Sequence, residues 1–182
     1  MPNWCSNHGT FSHSDPKMVK KLYQALRKEK VCETFFPTPA DKIKGDAWYD
    51  WRVSNWGTKW DFGASDPSAV DLAKDNSNVS CYYDTAWSPP IGMYAKLTEL
   101  GFQVEAYYME GGMAFCGTWD SDSGDDCMSY SKLSDIPEDI ASVFGCADWD
   151  WDESDDDADE ENDDVDMDET PGATDPVVAT PE

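Results

Sequence analysis

Two stretches of the chain alternate with period two, the mark of half-buried strands. Val79, Cys81, Tyr83 and Thr85 interleave with Ser80, Tyr82, Asp84 and Ala86. Further on, Phe102, Val104, Ala106 and Tyr108 interleave with Gln103, Glu105, Tyr107 and Met109. Gly111-Gly112 separates this second run from residues 113–119, and such a pair predicts a tight two-residue hairpin. Helical spacing follows Asp15, where Met18, Val19, Leu22, Tyr23 and Leu26 fall on one stripe. After Ser88, the spacing turns Ile91, Tyr94, Ala95 and Leu97 or Leu100 inward, and Gly101 suits the left-handed position that ends a helix. Asp15-Pro16, Asp66-Pro67 and Ser88-Pro89 each place a capping side chain before a proline, which predicts three helix starts, the middle one short. A strand near residues 3–12 and a tryptophan-rich insertion with strand character complete the order. The plan is α+β, a mostly antiparallel sheet with helices on one face.

Charge divides the chain in two. No Lys or Arg follows Lys132, and 17 of the 38 acidic residues stand from Asp148 onward. The 21 acids before that point face all 13 basic residues, so the first part carries about −8 and the tail about −17. Residues 1–145 hold enough apolar surface for one domain with its own core. Residues 146–182 have little to bury and repel themselves, which predicts a disordered acidic tail. No basic segment followed by an apolar run opens the sequence, and no stretch reaches the ~18 apolar residues of a membrane span. A soluble intracellular protein is expected. The six cysteines include no Cys-x-x-Cys pair, which favours free thiols over a disulfide framework.

Tryptophan recurs in short polar frames: Asn3-Trp4-Cys5-Ser6-Asn7, Asn55-Trp56-Gly57-Thr58-Lys59-Trp60-Asp61 and Thr85-Ala86-Trp87-Ser88-Pro89-Pro90. Together with Phe36-Pro37-Thr38-Pro39 and the stretch from Glu110-Gly111-Gly112 to Gly117, these motifs span about 115 positions in a consistent order. In that order the chain resembles the YubB-like family of small phage and plasmid proteins. The resemblance implies a ferredoxin-like βαββαβ core, an origin on a mobile element and the cytoplasm of a host bacterium as the location, with no established activity. Asn7-His8-Gly9-Thr10-Phe11 departs from the aliphatic alternation of such a first strand, so that strand is expected to be short or at an edge. The acidic tail lies outside the resemblance.

Catalytic patterns are missing: there is no His-Glu-x-x-His, no Gly-x-Ser-x-Gly, no phosphate loop and no zinc-spaced Cys/His set. No cofactor or metal is expected. His8 and His13 stand an odd number apart and would face opposite sides of a strand, in ordinary surface roles. Asp120 to Asp126 resembles a calcium loop, but its glycine comes one place early and no bidentate glutamate follows, so a solvated turn is expected. Trp48, Trp51, Trp56 and Trp60 suit either a stacking platform or a core that braces a long connection, and the core is the expected role. The binding or signature residues are Trp4, Asn55, Trp56, Lys59, Trp60 and Trp87. Lys17, Lys20, Lys21, Arg27, Lys28 and Lys30 form a basic helix within an acidic protein.

The expected function is a non-enzymatic accessory protein that binds another protein, the tail engaging a basic partner or mimicking nucleic-acid charge. The alternative is single-stranded nucleic-acid binding through the basic helix and exposed tryptophans, which the net charge opposes. An enzyme of unknown type ranks third.

Overall fold

The computed structural model describes residues 3–146 except 40, 42 and 65. The tail expected to be disordered therefore lies outside the described residues from position 147 onward. In chain order the elements are β1 (Trp4–Ser12), α1 (Pro16–Leu26), α2 (Val31–Phe35), α3 (Ala47–Trp56), β2 (Asp71–Leu72) and β3 (Asn78–Ala86), followed by α4 (Ile91–Glu99), β4 (Gln103–Glu110), β5 (Phe115–Asp120), β6 (Gly124–Ser129) and α5 (Glu138–Phe144). The strands form one antiparallel sheet in the order β2-β3-β1-β4-β5-β6. β3 and β4 are joined through α4 and lie parallel with β1 between them, while β1 and β2 flank β3 in the same way. These two split βαβ units make the βαββαβ core of a ferredoxin-like fold, and β5 and β6 widen it at one edge.

The first strand is not at an edge. β1 is central and pairs along its length with both β3 and β4. Its inward positions, Cys5, Asn7, Gly9 and Phe11, lack aliphatic bulk because neighbouring side chains already fill the space. A Cβ on Gly9 would lie 2.6 Å from the Phe11 ring and 2.9 Å from the Tyr83 hydroxyl. Buried Asn7 donates from Nδ2 to the Cys5 carbonyl and to Thr85 Oγ1, and its Oδ1 accepts from the Tyr94 hydroxyl. The Tyr83 and Tyr94 hydroxyls meet at 2.6 Å. A polar group costs little in a core when its partners are all present, so this strand can be central without aliphatic alternation.

The alternating residues predicted to turn inward do so: Val79, Cys81, Tyr83 and Thr85 of β3, and Val104, Ala106 and Tyr108 of β4, are buried. Val79, Cys81, Tyr83, Val104 and Ala106 share one core with Val19, Leu22 and Leu26 of α1 and Met93, Tyr94 and Leu97 of α4. Across the opposite face lies α5, which the sequence reading did not include. Ile140 and Ala141 pack there with Cys116 and against Tyr107 and Met109, and the Tyr82 hydroxyl donates to the Val143 carbonyl. Cys146 is buried in this second cluster, so the packed residues run one position past the boundary drawn at 145.

Several local expectations change. Asp15 caps α1 through the Lys17 N–H, and Asp66 caps only a single 3-10 turn, Pro67–Ala69. α4 begins at Ile91 rather than Pro89, because the Ser88 hydroxyl donates to the Gly57 carbonyl instead of capping. The tryptophan-rich insertion is helical, not strand-like: α3 turns Trp51 and Trp56 toward the core and closes at Gly57, whose φ is +81°. Residues 111–114 make a four-residue turn in place of the two-residue hairpin, with buried Glu110 accepting the N–H groups of Gly112 and Met113. The turn after β5 exists, held by Asp120 Oδ1 on the Asp122 and Ser123 N–H groups, but Gly124, Asp125 and Asp126 already belong to β6. The basic helix ends at Leu26, so only Lys17, Lys20 and Lys21 sit on α1, and Arg27, Lys28 and Lys30 follow it.

The C-terminus of α3 crosses the N-terminus of α4 at glycine. A Cβ on Gly92 would lie 2.2 Å from the Asn55 carbonyl oxygen, which is backbone and cannot swing away. Alanine normally favours a helix over glycine by about 1 kcal/mol. Here Gly92→Ala is expected to reverse that sign and destabilise by about 1–3 kcal/mol through overpacking. Urea unfolding of the variant checks this; a gain in stability would mean that the helices separate freely.

Candidate functional site

The signature residues divide into a buried knot and an exposed aromatic surface. In the knot, Asn55 Nδ2 donates to the Trp51 carbonyl, and fully buried Trp56 donates Nε1–H to the Phe36 carbonyl at 2.8 Å. Thr58 Oγ1 accepts the Ala86 N–H, which joins the Asn55–Asp61 segment to the Thr85–Pro90 segment. Asp61 reaches back to α2: Oδ1 accepts from the N–H groups of Cys32 and Phe62, and Oδ2 from that of Glu33. Burial raises the Asp61 carboxyl above its ordinary value of 3.8, against the lowering effect of these hydrogen bonds. The motif spacing thus reflects two loops that hold each other.

Arg52 completes the knot. Its guanidinium lies 4.5 Å from the Trp56 ring centre and 5.2 Å from that of Trp48, and its Nη2 donates to Glu33 Oε1 at 2.9 Å. An arginine stacked on indoles and bonded to a carboxylate is a strong pairing when partly desolvated.

On the surface, Trp4 is 52 % exposed, and Trp60 and Trp87 are each 37 % exposed. Trp60 therefore departs from the core role expected for it, and Trp48 and Trp51 are half-buried. The Trp4 and Trp60 rings stand 5.8 Å apart, tilted by 35°. Lys59 Nζ sits 4.7 Å from the Trp60 ring centre, 5.4 Å from that of Trp87 and 5.6 Å from that of Tyr49. Trp87 holds a left-handed φ of +68°, its N–H bonded to the Asn3 carbonyl. A bulky residue in that region carries strain, which recurs at sites that present a side chain for use.

Beside this surface lies an open cleft of about 510 Å³. Trp4 and Trp60 form its aromatic wall, and Glu29, Asp61 and Asp84 supply carboxylates; none of its described lining residues is basic. Sheet register brings Asp84 opposite Ser6, whose hydroxyl donates to Asp84 Oδ1 at 3.0 Å. Glu29 is placed by a tight turn in which it too has positive φ. That turn packs on Gly63, where a Cβ would lie 2.7 Å from the Glu29 Cα. Among the described residues neither Glu29 nor Asp84 enters an ion pair. The cleft presents negative charge next to π faces, the surroundings that favour a cation.

Sequence reading named Trp4, Trp60, Lys59 and Trp87 but missed Tyr49, Glu29 and Asp84. The alternation of β3 does turn Asp84 outward; only the pairing of β3 with β1 puts it near Trp4.

The basic residues form a separate feature. Lys17, Lys20, Lys21, Arg27, Lys28 and Lys30 are all exposed, Lys21 lying over Phe35 and Arg27 over Tyr23. His8 faces outward against Tyr82 at 4.4 Å, and its burial lowers its proton affinity. His13 lies just past β1 and bonds the Leu100 carbonyl and the Asp15 N–H. Among the described residues no group of three or more His, Cys, Asp or Glu is placed to hold a metal ion, and no helix is long and apolar enough to cross a membrane. The six cysteines are unbridged, five of them buried and Cys127 exposed.

Residues 56–139, a little under half of the chain, match the family model described as the ferredoxin-like domain in Api92-like protein. The match runs from the last residue of α3 into α5, leaving out β1 and α1, which complete the βαββαβ core. No curated protein and no solved structure matches the chain.

Proposed function

We propose that this ferredoxin-like protein is a non-enzymatic, YubB-like accessory protein of a phage or plasmid, working in the cytoplasm of the host bacterium by binding a basic protein partner. The observation that carries the reading is the exposure of Trp4, Trp60 and Trp87 beside a cleft whose charged lining is acidic among the described residues. Large aromatic side chains held at a surface are typical of interface anchors. The 17 acidic residues from Asp148 onward extend the same charge preference, speeding encounter with a basic partner or imitating the charge of nucleic acid.

A second reading, single-stranded nucleic-acid binding, is favoured by the exposure of the basic residues between Lys17 and Lys30. Its tryptophans would need to stack bases, yet Trp4 and Trp60 stand beside carboxylates that repel phosphate.

Affinity capture from host lysate, with and without nuclease, separates the two. Recovery of a basic protein that survives nuclease treatment, and that falls when Trp4 and Trp60 are both replaced by alanine, is the expected result. Recovery that depends on nucleic acid, together with polynucleotide binding that weakens steeply with salt, would support the second reading.

A further inference from the structure

We infer that the cleft between Trp4, Trp60 and Asp84 is a docking site for an arginine side chain of a basic protein segment. This rests on the protein-binding reading above and names the group recognised. The protein contains its own template for such recognition. Arg52 stacks on Trp48 and Trp56 and bonds Glu33, so two indoles and a carboxylate already hold one guanidinium. The cleft repeats that set with Trp4, Trp60 and Asp84, and no described basic residue lines it. Lys59 already lies against the rings of Trp60, Trp87 and half-buried Tyr49, so this surface makes cation–π contacts of its own.

Geometry favours arginine over lysine. Ring centres 5.8 Å apart leave no room for a planar group sandwiched between them, but a 35° tilt makes a corner. A guanidinium can lie flat on one indole and direct its edge at the carboxylates, whereas an ammonium presents a point charge without a stacking face. Asp84 spends one oxygen on the Ser6 hydroxyl and has no basic partner among the described residues, which leaves it free to accept from an incoming fork.

The test uses the full chain and three extended peptides of equal length, alternating serine with arginine, lysine or glutamate, titrated by calorimetry at physiological salt. The arginine peptide should bind at least fivefold more tightly than the lysine peptide, and the glutamate peptide should not bind. Asp84→Asn keeps the shape and the Ser6 contact, and Trp4→Ala removes an exposed ring, so both variants should fold. Each is expected to weaken the arginine peptide by about tenfold and to erase its advantage over lysine. Equal affinity for the two basic peptides, or variants that bind as the wild type does, would overturn the assignment; the latter would mean that the acidic segment alone attracts the peptide. If a basic partner is captured from lysate just as well by Asp84→Asn and Trp4→Ala, the protein-binding reading stands and the cleft assignment falls. If no basic partner is captured and no peptide binds, both fall.

Discussion

Trp56→Ala is expected to cost about 3–5 kcal/mol of stability, the range for deleting a fully buried large aromatic side chain. Trp56 is wholly buried, packs edge-on against Trp51 and supports the Arg52 guanidinium. Its removal also leaves the Phe36 carbonyl without its indole donor. Phenylalanine at the position should recover part of the loss, since it restores packing but not the hydrogen bond. Denaturant unfolding of both variants measures the difference. A loss under 1 kcal/mol for alanine would mean that α3 is not anchored through this side chain.

Asp61→Ala is the next largest, at about 2–4 kcal/mol, because one carboxylate serves the backbone N–H groups of Cys32, Glu33 and Phe62. Donors left unpaired in partly buried surroundings cost more than the net worth of the bonds. The effect has a pH signature. A carboxyl raised above 3.8 by burial keeps its proton longer in the folded state, so its stabilising contribution is greatest below 3.8 and is lost as pH rises through the folded value. The gap between wild type and Asp61→Ala should therefore be wider near pH 3.5 than at pH 7. A gap that widens with rising pH would mean that the ionised form is the one the fold prefers.

How far the fold was legible depends on which interactions are local. β3 and β4 were readable because burial on one face imposes period two, and α1 was readable from its stripe and its Asp15 cap. β1 departs from the expectation of a short or edge strand because its core is built from Asn7, Gly9 and tyrosines donated by β3 and α4, a packing between segments more than 70 positions apart. α3 departs from the strand character expected of the insertion because clustered tryptophans carry no clear period, and only Phe36, reached across 20 positions by the Trp56 indole, shows which way that element faces. β6 was hidden by charge. Asp125 and Asp126 resemble a turn, yet Asp125 is fixed to the sheet by the Tyr108 hydroxyl at 2.7 Å. The site followed the same rule. The tryptophan frames marked Trp4, Trp60 and Trp87, whereas Asp84 and Glu29 joined them only through sheet register and the approach of Gly63 to the turn after α1.

The division of the tryptophans into one that folds the protein and two proposed to face a ligand meets its sharpest test in the unfolding of Trp60→Ala with and without the arginine-serine peptide. A ligand that binds only the folded state raises stability by about 2.7 kcal/mol at a hundredfold excess over its dissociation constant. The variant should start within about 1 kcal/mol of the wild type, and the peptide concentration that gives the wild type this gain should leave the variant almost unchanged. A variant as unstable as Trp56→Ala, or one that the peptide stabilises as fully as the wild type, would contradict the division.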